Sequence, residues 1–256
     1  MRGVIDDIHL ANTAAALREK TGTEKTYKPA ELAGGVGEAY EAGQNTIYDI
    51  VLNGGKRKNA EQTFRMWQCE YIRPPFVFKP NTRTIECFTQ NHKLKKIEKQ
   101  YFDFSGVPAN KTSTQGHYYT CYYCSELEIF EDIGLPACDY EYTWASCNKL
   151  HTIELVRSTR TTRFTNLCGQ CYALSYIRFE GEIGQNITFT RCDSLSIESL
   201  KDIILHLVDY SGTADEYAKT LTLSSVNWAT IEAEGATAPG GITWLEYVNE
   251  LGWNRG

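Results

Sequence analysis

The stretch Trp144-Ala145-Ser146-Cys147-Asn148-Lys149-Leu150-His151-Thr152-Ile153 decides the reading of the chain, because its pattern recurs on both sides. Cys124-Ser125-Glu126-Leu127 is followed by Ile129, and Cys171-Tyr172-Ala173-Leu174 by Ile177 and Phe179. Cys192-Asp193-Ser194-Leu195 is followed by Ile197, and in the quoted copy Leu155 comes after Ile153. An earlier copy, Asn91-His92-Lys93-Leu94 with Ile97, has Asn in the Cys place. Three residues ahead of each stands another core candidate, written Φ below: Phe88, Cys121, Trp144, Cys168 and Phe189. The common form is Φ-x-x-(Cys/Asn)-x-x-Leu-x-x-Ile, with Cys-to-Cys steps of 23, 24 and 21 residues and a longer step of 33 from Asn91.

Self-similarity at this period, with a Leu column and a Cys/Asn column, is the signature of a leucine-rich repeat. One such unit cannot bury its own Leu and Ile, so neighbours must stack around a shared core. The expected repeat core is Asn91, Leu94, Cys124, Leu127, Cys147, Leu150, Cys171, Leu174, Cys192 and Leu195. In such a column Cys acts as a small apolar filler, whereas Asn bonds turn backbone. The predicted fold class is α+β: a leucine-rich-repeat solenoid with short parallel strands, an N-terminal helical segment and a C-terminal helix and strand cap.

The same cysteines invite another reading. Cys121-x-x-Cys124 and Cys168-x-x-Cys171 can supply four thiolates to zinc, with His117 and His151 as substitute ligands. The pairs stand 44 residues apart, however, whereas ribbon-type zinc sites space them by roughly 15–20. Packing explains both pairs without a metal, as the Φ and Cys positions of single repeats, so neither a metal nor a cofactor is expected. The chain has 9 Cys, and Cys69, Cys87 and Cys138 fall outside the pattern. The opening Met1-Arg2-Gly3-Val4-Ile5-Asp6-Asp7 carries two acids where a signal peptide needs apolar residues. Free thiols in a reducing cytosol are therefore expected.

Helical periodicity over Asp6 to Lys20 and from Pro29 to about Leu52 predicts an N-terminal helical attachment or oligomerisation segment over 1–52. Ala33, Val36, Tyr40, Gly43, Ile47 and Ile50 form a short coiled-coil seam, weakened by glycines. Residues 53–84, with the proline-punctuated Arg73 to Pro80, read as an entry cap, and 85–197 as the repeats. Residues 198–256 read as the C-terminal cap: a helix from Ile197 towards Leu207, a strand at Leu221 to Ser224 and a last helix from Thr243 to Leu251.

These residues resemble a family. The repeats look like BspA-type leucine-rich repeats, and the chain resembles leucine-rich-repeat virion proteins of bacteriophages and prophages of Gram-positive, often gut, bacteria. Leu17 to Leu32 is similar to the opening segment of such proteins, and Tyr101-Phe102-Asp103-Phe104-Ser105 to one of their strands. Ser196 to Leu200, Tyr210 to Thr213, Leu221 to Ser224 and Gly252-Trp253 are similar to their closing cap. The Gly-rich stretch Gly34 to Gly37 and the segment from Ala229 to Thr243 depart from it. The resemblance implies a virion location, in tail or baseplate, and supplies no catalytic residues.

The composition supports a binding or structural role. Net charge is −6, which gives no electrostatic footprint for nucleic acid and no polybasic membrane anchor. The five histidines fall in no metalloprotease motif, and no nucleophile elbow or phosphate-binding loop occurs. A Cys-His pair at His117 and Cys121, or a glycosidase pair among Asp103, Glu126, Glu128, Glu131 and Asp132, would be the enzymatic alternatives; a surface or turn role is expected for His117, the Φ place of its repeat for Cys121 and a solvated face for the carboxylates, and no enzyme. Tyr118, Tyr119, Tyr122, Tyr123, Tyr140 and Tyr142 form the candidate ligand-binding set, since stacked repeats would align them. Lys93, Lys95, Lys96 and Lys99, and Arg157, Arg160 and Arg163, form two basic faces: solvated by default, or docking sites for anionic wall polymers.

The expected function is a non-enzymatic tail or baseplate appendage that binds the host surface. Residues 1–52 would join other virion proteins, the partner on the cell would be a surface glycan or protein, and a homo-oligomer, a trimer, follows from particle symmetry. The alternatives are a structural or decoration protein of the virion and a bacterial surface adhesin.

Overall fold

The computed structural model describes residues 86–105 and 116–256, together with Glu70 and the backbone of Phe76–Val77. The helical segment expected over 1–52, Cys69 and most of the expected entry cap lie outside the described residues. The fold is mixed α/β, with parallel strands and few helices, and every strand pairing among the described residues is parallel.

Strands that follow successive copies of the sequence motif pair with one another in parallel. β1 (Phe76–Val77) pairs with β3 (Phe102–Asp103). Four strands then form one sheet in the order β2 (Lys96–Ile97), β5 (Ile129–Phe130), β7 (Thr152–Ser158), β9 (Tyr176–Gly181). A second sheet holds β4 (His117–Tyr118), β6 (Tyr140–Glu141) and β8 (Phe164–Thr165). The third comprises β10 (Ile187–Phe189), β11 (Lys219–Leu223) and β12 (Trp253–Arg255).

The motif's spacing by threes has a direct cause. In each copy the amide of the Cys or Asn bonds the Φ carbonyl, and the Leu amide bonds the Cys or Asn carbonyl: Cys147 N–H to Trp144 O at 3.2 Å, Leu150 N–H to Cys147 O at 3.1 Å. Two successive three-residue turns therefore bring Φ, Cys and Leu to the same interior side. Phe88, Cys121, Trp144, Cys168 and Phe189 are all buried, as are the five Leu of the Leu column.

The thiols add a ladder between copies. The Cys124, Cys147, Cys171 and Cys192 thiols donate to the carbonyls of Phe88, Cys121, Trp144 and Cys168, each one copy back, at 3.0, 3.0, 3.0 and 3.4 Å. Each of these carbonyls already accepts the Cys or Asn amide of its own copy, and the thiol of the next copy adds a second, weaker donor to it. Asn227 continues the role beyond the last Cys, its Nδ2 donating to Cys192 O at 2.9 Å. The Φ column alternates Phe88, Cys121, Trp144, Cys168, Phe189. Parallel strands lie about 4.8 Å apart, so the layers on either side of Trp144 carry small residues in this column. Cys121 and Cys168 are the buried Φ residues of their copies and Cys124 and Cys171 the Cys-column residues, which accounts for both Cys-x-x-Cys pairs by packing.

Two expectations about the Ile column need correction. In the second copy Phe130 is buried and Ile129 only half-buried, because the strand alternates and Phe130 is the residue in register with Ile97 and Ile153. In the third, an irregularity between Ile153 and Val156 turns Val156 inward and leaves Leu155 half-buried.

The main sheet ends at β9, whose exposed edge would invite another strand. Helix α1 (Ile197–Leu205) blocks it with side chains. Ile177 N–H donates to Ser199 Oγ at 3.0 Å and Phe179 N–H to Asp202 Oδ2 at 2.7 Å. Ser196 caps α1, and Leu200, Ile203 and Ile204 bury its inner face. The strand and last helix expected in the cap are present as β11 and α3 (Trp244–Glu250), the latter closed by a capping box of Thr243 and Glu246. Helix α2 (Ser225–Glu232) and strand β12 were not foreseen. The buried Trp253 anchors the end of the chain, its indole N–H donating to Val208 O at 2.7 Å.

Candidate functional site

The second sheet and its flanking turn carry the site. The strand pairing Tyr118↔Glu141 places Tyr118 over Glu141, and the next residues, Tyr119 and Tyr142, fall in step. Their rings lie nearly parallel with centroids 5.0 Å apart. Tyr118 meets Tyr119 edge-on at 4.6 Å, Tyr122 meets Tyr119 at 4.9 Å, and Tyr123 meets Tyr122 at 4.5 Å. Tyr122 also stands edge-on to Tyr142 at 6.1 Å. Five of the six candidate tyrosines thus form one ridge of touching rings. Four are half-buried, and Tyr123 is 44% exposed.

Tyr140 leaves the set. It is buried, stacks between Trp144 (5.8 Å) and Phe164 (6.1 Å), and its hydroxyl donates to Arg157 O at 3.0 Å. It alternates with Glu141 on a strand whose other face points outward, so its assignment to a ligand patch is corrected to the core.

Three ridge tyrosines sit where a tyrosine is costly. Every copy from the first to the fourth has two residues with positive φ, one two positions before Φ and one just before the Cys or Asn: Glu86 and Gln90, Tyr119 and Tyr123, Tyr142 and Ser146, Asn166 and Gln170. The chain needs the left-handed conformation there to turn off the strand. For L-residues that conformation costs about 1–2 kcal/mol, least for Asn. The first and fourth copies use polar residues at these places, whereas the second and third use Tyr119 (φ 51°), Tyr123 (φ 60°) and Tyr142 (φ 51°).

The electrostatics favour neutral phenols. Tyr118 is pushed up to about 12, chiefly by donating its hydroxyl hydrogen to the Glu141 carboxylate. Tyr122 is raised by desolvation and by its neighbour Tyr123. Glu141 escaped the sequence reading; adding the 23-residue step to Tyr118 would have found it.

The two basic faces are largely neutralised. Lys95 pairs with Glu70 (3.0 Å), Lys96 with Glu131 (2.5 Å) and Lys99 with Glu154 (3.7 Å). Arg157 grips both Asp132 oxygens at 2.7 Å, which holds that carboxyl below its usual range, and also meets Glu180 at 3.1 Å. Arg163 holds Asp139 at 2.8 and 2.6 Å. The Arg160 guanidinium lies 4.8 Å from the centre of the Tyr210 ring, and Lys93 is exposed. The carboxylates considered for glycosidase chemistry are thereby partly spent: Glu131 and Asp132 serve these ion pairs, and Glu126 binds Lys149 at 2.7 Å.

His117 is buried at 1% exposure on β4, against the expectation of a surface or turn residue. Its Nε2 lies 2.8 Å from Pro136 O, and its ring packs on Tyr140 at 4.8 Å. That contact places the proton on Nε2. The eight described cysteines are free and buried, and no group of metal-ligating side chains occurs among the described residues. Burial pushes the Cys87, Cys121, Cys147, Cys168 and Cys192 thiols well above their usual range, and Cys138 up to about 12. The Cys124, Cys147, Cys171 and Cys192 thiols are also each committed as donors to buried carbonyls of the preceding copy. Purified protein should therefore carry far less than one zinc per chain by elemental analysis, and a chelator should leave its melting temperature unchanged.

An open groove of about 650 Å³ lies at the far end, lined by Tyr217, Trp228, Trp253 and Arg255 among others. Trp228 Nε1 donates to Gly256 O at 3.1 Å within it. The sequence reading had not singled it out.

No family model, curated protein or solved structure matches the chain.

Proposed function

We propose that the chain is a leucine-rich-repeat solenoid of the BspA type, and that it serves as a non-enzymatic bacteriophage virion protein, a tail or baseplate appendage that binds the host surface. The observation that carries the binding role is the tyrosine ridge. Three large rings stand on left-handed backbone positions that the neighbouring copies give to Glu, Gln, Ser and Asn. Strain of this kind persists where function repays it. Tyrosine offers wide contact area, a hydroxyl for polar partners and little rotamer entropy to lose. The repeat reading is supported by the parallel ladders, the recurring turn bonds and the thiol ladder. The virion location rests on the resemblance of the opening and closing segments, and assembly through 1–52 on the helical periodicity there.

Two measurements test this. Mass spectrometry of purified particles is expected to find the protein in the virion; its absence there would sink the virion reading. The labelled full-length protein is expected to bind whole host cells. Presence in the particle without any cell binding would turn the assignment to a decoration protein.

A further inference from the structure

We infer that the exit end of the stack docks on the entry end of a second copy of this chain, so that copies associate head to tail. The charges of the chain are segregated along the stack. Residues 53–105 hold 11 Lys and Arg against 5 Asp and Glu, whereas residues 196–256 hold 3 against 9. On the exit cap Asp215, Glu232 and Glu250 are exposed, and none of them meets a base among the described residues. The bases of the cap are engaged or sheltered: Lys201 holds Glu234 at 2.5 Å, the Arg255 guanidinium lies 6.0 Å from the centre of the Trp228 ring, and Lys219 is half-buried. In the first copy Lys93 is exposed and meets no acid among the described residues.

The exit end also has the shape of an unfinished stack. Helix α1 covers the edge of β9, but among the described residues β12 pairs with β11 alone, and Arg255 on it is exposed. The open groove lies beside β12, with Tyr217, Trp228 and Glu232 in its lining. Of the six large apolar residues left exposed, Leu205, Tyr217 and Val226 belong to this cap. An uncovered edge at the end of a parallel stack suits a further layer. The stack joins its own layers by bases set against acids: Lys96 holds Glu131 at 2.5 Å, Lys149 holds Glu126 at 2.7 Å and Arg163 holds Asp139 at 2.6 Å, each pair linking adjacent copies of the repeat. A second chain that presents its first layer to the exit cap repeats this arrangement. Two exit ends would bring acid to acid and two entry ends base to base, so charge selects the head-to-tail contact over a two-fold one. A contact of this kind closes into a ring or runs on as a filament.

Analytical ultracentrifugation of the full-length chain tests this. At low salt the weight-average mass of the wild type is expected to rise with concentration, and the rise should vanish in about 0.5 M NaCl, where charges are screened within a few ångströms. A variant with Asp215→Lys, Glu232→Lys and Glu250→Lys should associate at least roughly tenfold more weakly, with an unchanged circular dichroism spectrum. It keeps residues 1–52, so assembly through that segment is equal in both proteins. Should the triple variant fail to fold, Glu232→Lys alone decides, with a several-fold loss. A carbodiimide, which joins a carboxylate directly to an amine, is expected to link Lys93 to Glu232 or Glu250 in the associated wild type. Within one chain at least four layers of about 4.8 Å separate the first copy from the exit cap, so such a link records two chains. A wild-type mass independent of concentration at low salt overturns the inference, as does equal association by the folded variant. Association without any link between 53–105 and 196–256 overturns the head-to-tail geometry.

Discussion

Replacing Trp144 by Ala is expected to lower stability by about 3–5 kcal/mol, the range for removing a large aromatic from a packed core, whereas Trp144→Phe should cost under about 1.5 kcal/mol. Trp144 is fully buried at the centre of the Φ column. It packs edge-on to Phe130 at 5.0 Å and stacks with Tyr140 at 5.8 Å. Its neighbours in the column are Cys121 and Cys168, too small to fill the space it would leave. The backbone around it is fixed by bonds to both adjacent layers: Cys121 N–H to Thr143 O at 2.7 Å and Trp144 N–H to Leu167 O at 3.0 Å. The cavity therefore cannot collapse without breaking two ladders. Phe is already the residue of the first and last copies, and it would also remove the indole N–H, which is buried without a hydrogen-bond partner. Urea unfolding of the two variants measures the difference. A Trp144→Ala loss below about 1.5 kcal/mol would mean that the column is not close-packed.

That column also marks what was legible in the sequence. The Φ, Cys and Leu positions could be read because each obeys a spacing of three that the turn bonds impose on any residue occupying it. The Ile column was read less well, since strand alternation and the irregularity in β7 decide which residue turns inward: Phe130 and not Ile129, Val156 and not Leu155. The tyrosines show the same division. Their grouping followed from the sequence, but Tyr140 and Tyr142, two residues apart, would share a face if the strand went on; the strand ends at Glu141 and the left-handed turn at Tyr142 separates them. Ion pairs such as Arg157 with Asp132 join residues 25 apart, and only an accurate register brings them together. Helix α2 has no amphipathic stripe to betray it; the buried Ile231 and Asn227, with the Ser224 cap, hold it on the core. His117 looked like a surface residue because it lies among tyrosines, yet it faces inward on β4.

That inward histidine predicts an acid-sensitive fold. Burial pushes the His117 imidazole down to about 4, against the upward pull of its hydrogen bond to Pro136 O. In the unfolded chain the same group titrates near 6.5. The folded state therefore binds this proton less readily than the unfolded state. Stability from the neutral imidazole is fully present above about pH 6.5 and is lost as pH falls through 4. Across that window the loss reaches about 3 kcal/mol. The carboxylate contribution is separable in pH: Asp132 is held low by Arg157, and its loss falls around and below the ordinary carboxylate range. Between pH 6.5 and 5 the histidine should dominate. Urea midpoints of the wild type should drop over this interval, and those of His117→Gln should stay nearly flat, since an amide of similar reach can donate to Pro136 O without ever gaining a charge. His117→Gln will itself carry a constant penalty from lost packing on Tyr140, so the slope with pH, and not the absolute stability, is the quantity to compare. Parallel slopes in the two proteins would show that another group carries the acid sensitivity.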